Sequence, residues 1–271
     1  MRARRNRVGP DDVLHLELAE EPPVRPDRLL LRPVPEHGDT GTGLPVPVRL
    51  RGTRASADLG GLPAGLWEVC GPDGGGRTAP VRTEDPGLNL ADRYGYIARP
   101  RSRDLRVLRT PDGRLRVQVA EVRPYAEVEL VRSREETVAV RGELAFAARP
   151  PGRHRVRIVL RQRHVGTELA CGALLDDGAF SAEIPLRPLA DAHAEERGKN
   201  LWDPVLAGGP LNAELRLASR ADDIAGKKQR IGFRPVRLPH GGRTMRITPY
   251  YTVHDDLSLA ATALDRAEGA R

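Results

Sequence analysis

Cysteine is nearly absent from this chain of 271 residues; it occurs only as Cys70 and Cys171. Lying in different halves of the sequence, the two fit no metal-ligand spacing. One cysteine per half also excludes an immunoglobulin-type bridge inside a single domain. A reduced, cytoplasmic setting and no metal are expected. Lysine is just as scarce, appearing only at Lys199, Lys227 and Lys228 among 44 cationic residues. Aromatic residues make up 4% of the chain, too few for a surface that stacks unpaired bases. No helix-turn-helix or zinc pattern is present either, so a nucleic-acid partner is disfavoured. No apolar run approaches the 18 residues of a membrane-spanning helix. The basic segment Met1–Arg7 runs into Val8-Gly-Pro-Asp-Asp12 rather than the apolar core of a secretory signal.

What the chain has in quantity is arginine, glycine and proline. The net charge is +7, with 28 glycines and 24 prolines. Arginine suits bidentate contact with phosphate or carboxylate. The competing explanation is a genome rich in arginine codons, since the arginines are spread throughout. Glycine and proline punctuate short apolar runs, which is the pattern of strands and turns.

Those runs alternate with period two. Leu14, Leu16 and Leu18 alternate with His15 and Glu17. Val46, Val48 and Leu50 follow the same rule, as do Leu105 with Val107 and Leu115, Val117 with Val119. Thr110-Pro-Asp-Gly113 lies between the last two runs and predicts a hairpin turn. In the second half, Asp176-Asp-Gly178 separates two more alternating runs, and Val156, Ile158 and Leu160 alternate with arginines. One apolar face per strand is what packed antiparallel sheets require. Helix candidates are few, a turn or two over Leu189–Arg197, and the alanine-rich end from Ala260 to Arg271 is expected to fray or coil.

A faint internal repeat divides the chain. Leu66-Trp67-Glu68 matches Leu201-Trp202-Asp203. Thr110-x-x-Gly113-x-Leu115-x-Val117 matches Thr252-x-x-Asp255-x-Leu257-x-Leu259. A repeat near half the chain length means two copies of a domain. The expected architecture is all-β, with two tandem immunoglobulin-like or fibronectin-like sandwich domains. They span residues 12–125 and 126–264, between a disordered basic N-terminus (1–11) and a frayed C-terminus (265–271). Trp67, Trp202 and Cys171 are expected to be structural core residues.

Catalytic patterns are missing. His254-Asp-Asp256 supplies too few converging ligands for a metal and reads as a turn. No serine sits in a nucleophile elbow. Gly71-Pro-Asp-Gly-Gly-Gly76 lacks the Lys-Ser/Thr ending of a phosphate loop and reads as a hairpin loop. Asp191, Glu195 and Glu196 read as a solvated face. The strongest surface feature is Arg155, Arg157, Arg161 and Arg163, which alternate with Val156, Ile158 and Leu160. Four arginines on one strand face suit a polyanion; the alternative is a solvated face balanced by acids on neighbouring strands.

Several segments carry a family resemblance. Gly65-Leu-Trp-Glu-Val69, Arg123-Pro-Tyr-Ala-Glu-Val128, Val140-Arg-Gly-Glu-Leu144, Asn200-Leu-Trp-Asp203 and Tyr250–Leu259 resemble accessory β-sandwich regions of actinobacterial proteins. Such regions accompany glycosyltransferases and CDP-glycerol glycerophosphotransferases of the wall teichoic acid type. They also occur as stand-alone chains labelled "transferase". The resemblance spans roughly residues 12 to 264 and implies a context rather than an activity, because the nucleotide-binding catalytic domains of those enzymes are not visible. It implies a non-catalytic accessory or binding module, without cofactor. The implied partners are a glycosyltransferase or glycerophosphotransferase and an anionic polymer. A transferase proper, for glycosyl or glycerophosphoryl groups, is the rival reading; a general polyanion or nucleic-acid binder is the third.

Overall fold

A computed structural model describes residues 1–35, 42–73, 75, 77–194 and 198–264. The fold is all-β, and helices are few and short. The chain divides into two compact units, Met1–Arg123 and Pro124–Arg271.

The first unit contains β1 (Arg2–Val8), β2 (Val13–Leu18), β3 (Arg28–Pro33), β4 (Leu44–Arg51), β5 (Arg54–Asp58) and β6 (Gly65–Pro72). There follow β7 (Thr78–Pro80), β8 (Arg82–Thr83), α1 (Leu90–Ile97), β9 (Arg103–Arg109) and β10 (Leu115–Glu121). The strands pair in the order β8-β1-β2-β5-β4-β3-β6-β10-β9, with β7 on β6. Strand β4 turns the corner. Its first half, Leu44–Pro47, pairs with β3, and its second half, Val48–Arg51, pairs with β5. Leu14, Leu16, Leu29, Leu31, Val69, Leu115 and Val117 are all buried, so the alternating apolar positions supply the core.

The second unit contains β11 (Tyr125–Ser133), β12 (Thr137–Ala145), β13 (Arg153–Gln162), β14 (Glu168–Asp176), β15 (Ala179–Pro185) and α2 (Arg187–Asp191). It continues through β16 (Asn200–Ala207), β17 (Leu215–Ala218), α3 (Lys227–Arg230), β18 (Val236–His240), β19 (Arg243–Tyr251) and β20 (Leu257–Leu264). Its strands follow the order β13-β14-β15-β12-β11-β17-β16-β20-β19-β18. An additional pairing of β13 with β16 closes seven of them into a ring. The unit's main apolar core joins ring strands to β19 and β20 and includes Ile158, Leu160, Trp202, Leu206, Ile247 and Leu259.

The repeated motifs occupy corresponding pairings. Trp67 on β6 lies opposite Val117 on β10, and Trp202 on β16 lies opposite Leu259 on β20. The turns entering β10 and β20 share one hydrogen-bond pattern. Thr110 N–H donates to Arg114 O, and Arg114 N–H donates to Thr110 Oγ1. Thr252 N–H donates to Asp256 O, and Asp256 N–H donates to Thr252 Oγ1. Gly113 and Asp255 both take positive φ, +80° and +59°. Glycine does so without strain, and aspartate is one of the few other residues that tolerates it.

Several expectations need correction. The basic N-terminus is not disordered: Arg2–Val8 is a strand paired with β2 and β8. Its inward positions are Ala3 and Asn6, both buried, and so little apolar character hides the strand pattern. Cys171 is half-buried rather than buried. It packs on the edge of the second core beside Leu169 and Ala173, on the part of β14 that β15 does not pair with. Its thiol is pushed up by burial. The expected helix over Leu189–Arg197 reduces to α2, with residues 195–197 outside the described residues. Residues 260–264, expected to fray or coil, instead form the end of β20 paired with β19, while Glu195, Glu196 and the segment 265–271 lie outside the described residues.

Trp67 retains 7% of its surface and donates Nε1–H to Pro63 O at 3.0 Å. Trp202 is completely buried. Trp202→Ala is expected to lower stability by about 3–5 kcal/mol. Urea denaturation checks this; an unchanged midpoint would refute the anchoring role.

Candidate functional site

Three arginines of the predicted row, Arg155, Arg157 and Arg161, lie on β13, while Arg163 sits in the turn just after it; half of the row is already neutralised. Arg161 donates Nε–H to Glu168 at 2.5 Å and grips Glu214 with both terminal nitrogens, at 2.5 and 2.7 Å. These carboxylates raise the guanidinium's proton affinity still further. Arg163 grips Asp203 with two bonds of 2.6 Å. Asp203 is opposed by burial, yet Arg163 and the Ser258 hydroxyl hold it below its ordinary value. Arg155 and Arg157 remain exposed. The face is also interrupted: Val159 lies between Arg157 and Arg161 and is buried with Val205 and Ala207. Long arginine stems commonly cover such a patch.

His254, Asp255 and Asp256 sit in the turn before β20. Asp256 accepts from Arg220 at 2.6 Å and from Arg216 at 3.2 Å, so it serves an ion-pair network. Among the described residues no three His, Cys, Asp or Glu side chains gather as a metal site. Around the predicted hairpin loop, of which Gly74 and Gly76 lie outside the described residues, Cys70–Pro72 of β6 pairs antiparallel with β7, and Asp73 accepts from the Gly75 and Arg77 N–H groups. No helix among the described residues is long and apolar enough to cross a membrane.

A second arginine surface lies on the first unit, where the sequence reading did not place one. Strands β1, β2, β5 and β4 run side by side, and opposed residues share a face. One rung of the outer face reads Arg5, Glu17, Arg54, Arg51. The next reads Arg7, His15, Ser56, Arg49. A bulge in β1 between Ala3 and Arg5 adds Arg4 to the exposed set. The inner face of the same strands carries Leu14, Leu16, Ala55, Ala57 and Val48, all buried. The core thus fixes which side the arginines occupy.

These rungs floor an open basin of about 1580 Å³, walled by the segment from Glu84 to Asp92. Six arginines line it against four carboxylates, Glu17, Glu84, Asp85 and Asp92. The three wall carboxylates have partners. Glu84 pairs with Arg2, Asp85 accepts the Asn6 and Gly87 backbone N–H groups, and Asp92 stands 3.5 Å from Arg7. Among the described residues, Arg7 is the sole basin arginine with a carboxylate within ion-pairing distance. Arg51 and Arg54 face each other directly across the β4–β5 hairpin, a like-charge placement that costs stability unless an anion intervenes.

Buried polar contacts hold the wall. Asn6 Nδ2–H₂ donates to Thr83 Oγ1 at 3.0 Å and to Asp85 O at 3.1 Å. Gly87 passes so close that a Cβ there would lie 2.4 Å from Asn6 Oδ1 and Val107. Asn89 caps α1, accepting from the Ala91 and Asp92 N–H groups. Arg93 on α1 grips Asp104 on β9 with two bonds, 2.5 and 2.7 Å, at a site 8% and 7% exposed. Burial opposes ionisation of Asp104, but the Arg93 fork and Arg106 outweigh it and hold the carboxyl below its ordinary value.

No protein-family model matches the chain, and no curated protein matches it. Among solved structures, the crystal structure of S. aureus TarS aligns with a TM-score of 0.42 and 14% identity, over 64% of this chain and 31% of that one. The structure of S. aureus TarS 217–571 aligns with a TM-score of 0.41 and 14% identity, over 64% of this chain and 49% of that one. The chain therefore spans a third to a half of those structures. Likeness at this level establishes neither family nor function.

Asp104→Asn leaves Arg93 buried without its counter-charge and is expected to cost about 3–5 kcal/mol. Because the folded carboxyl lies below its unfolded value of about 3.9, the stabilisation is complete above that pH. It is lost as pH falls through the folded value. Urea midpoints of the two proteins should therefore differ most near neutrality and converge in acid. A constant gap across pH would refute the assignment.

Proposed function

We propose that this chain is a non-catalytic binding module for a phosphate-bearing polymer, working beside cell-envelope polymer synthesis. The observation that carries this reading is the arginine-lined basin, five of whose six arginines have no carboxylate within ion-pairing distance among the described residues, Arg7 being the exception. Arginine forks recognise phosphate in pairs of parallel bonds. The context comes from the short motifs around Trp67, Tyr125, Trp202 and Tyr250, which resemble accessory regions of teichoic-acid-type transferases. The partners in this reading are a glycosyltransferase or glycerophosphotransferase and its anionic polymer. Two copies of an immunoglobulin-like or fibronectin-like sandwich are the architecture we favour. The matched turns at Thr110 and Thr252 and the matched tryptophan pairings support it.

Purified protein is expected to bind poly(glycerol phosphate) with an affinity that falls steeply with salt. Single-stranded nucleic acids lose about 0.7 in the log–log slope per phosphate neutralised, and a more sparsely charged polymer should show a shallower slope. No turnover of CDP-glycerol or a nucleotide sugar is expected. Salt-independent binding would refute the polyanion reading, and turnover would replace the module by the transferase alternative.

A further inference from the structure

We propose that the basin over β1, β2, β5 and β4 is the polymer site, and that it grips one flexible phosphodiester chain between two banks of arginine. The proposal rests on the binding-module reading and commits it to one surface and one ligand form. The first bank is Arg4 and Arg5 on β1, with Arg7 beside its acidic neighbour Asp92. The second is Arg49 and Arg51 on β4 with Arg54 on β5. Three strand spacings separate β1 from β4, about 14–15 Å. Along each strand, alternate arginines stand about 6.5–7 Å apart. A lone phosphate engages one bank; a chain carrying several phosphates satisfies both.

The floor between the banks is different in kind. It consists of Glu17, His15 and Ser56, which offer a carboxylate, an imidazole and a hydroxyl. These groups accept or donate hydrogen bonds to hydroxyls, so the floor suits a polyol or sugar joining two phosphates. The single unpaired carboxylate there repels a phosphate placed centrally and keeps the phosphates on the banks. The wall from Glu84 to Asp92 adds three more carboxylates on one side. A thin chain lies along the banks below that wall. A rigid duplex, charged on all sides, meets the wall before it reaches the floor. The β13 row lacks these properties, since Arg161 and Arg163 already hold carboxylates.

The test uses the intact protein and two variants. One carries Arg5→Gln, Arg49→Gln, Arg51→Gln and Arg54→Gln; the other carries Arg155→Gln and Arg157→Gln. All six side chains are exposed, and unchanged melting temperatures are expected to show that both variants fold. Should the fourfold variant melt early, Arg49→Gln with Arg54→Gln replaces it. Each protein is titrated with poly(glycerol phosphate), inorganic polyphosphate and duplex DNA at two salt concentrations.

The basin variant should bind both flexible chains at least about tenfold more weakly at low salt, with a shallower salt slope. The β13 variant should bind as the wild type does. Equal binding of the flexible chains by the basin variant and wild type would overturn the site while leaving the module reading intact. Basin-dependent binding of polyphosphate without poly(glycerol phosphate) would keep the site and overturn the envelope reading. Duplex DNA bound through the basin as tightly as the flexible chains would overturn the single-chain claim. Binding of none of the three would overturn both proposals.

Discussion

Most strands in this protein turn at least one apolar face inward, and that face must be hidden. In the first unit the requirement bends β4 from one pairing partner to another partway along its length. In the second it brings β13 back to β16 and closes the ring. Burial of apolar surface is non-directional, so it says which face turns inward but not what the outward face carries. Here the outward face carries arginine. The charge pattern of the surface is therefore a by-product of strand register until something makes the arginines gather.

Two outcomes of that freedom stand side by side. At the end of β13, Glu168 and Asp203 on neighbouring strands and Glu214 just before β17 absorb Arg161 and Arg163 into local ion pairs. Exposed pairs of this kind add little stability, but they do remove the charge from use. On β1, β4 and β5, the opposed residues are His15, Ser56, another arginine and a single glutamate, so the charge stays available. The distinction lies in what faces each arginine across the ladder. The number of arginines does not decide it.

This explains which parts of the structure were legible in the sequence. The hairpin at Thr110–Gly113 was legible because its turn residues have fixed conformational demands. The paired tryptophans were legible because a large apolar side chain on an alternating strand has few places to go. Strand β1 was not, since Ala3 and Asn6 are poor markers of an inward face. Helix α1 was missed because eight residues capped by Asn89 leave a weak periodic signal. The basin was invisible for a different reason: its arginines come from three separate segments, and only pairing register assembles them. Arg5, Arg7, Arg49 and Arg51 show spacing by two in the sequence, but nothing local says that their strands share a sheet.

The position of β1 has a consequence for the chain's handling of its own backbone. It lies between β2 and the two-residue β8, covering the N–H and C=O groups along one side of β2. Proteolytic trimming of those first residues would do more than delete a bank of cations. It would uncover a six-residue edge rich in leucine, whose unpaired N–H and C=O groups form a template for pairing with another strand. Strand β1 thus keeps that edge paired, and its outward arginines add the kind of charge that discourages edge-to-edge pairing.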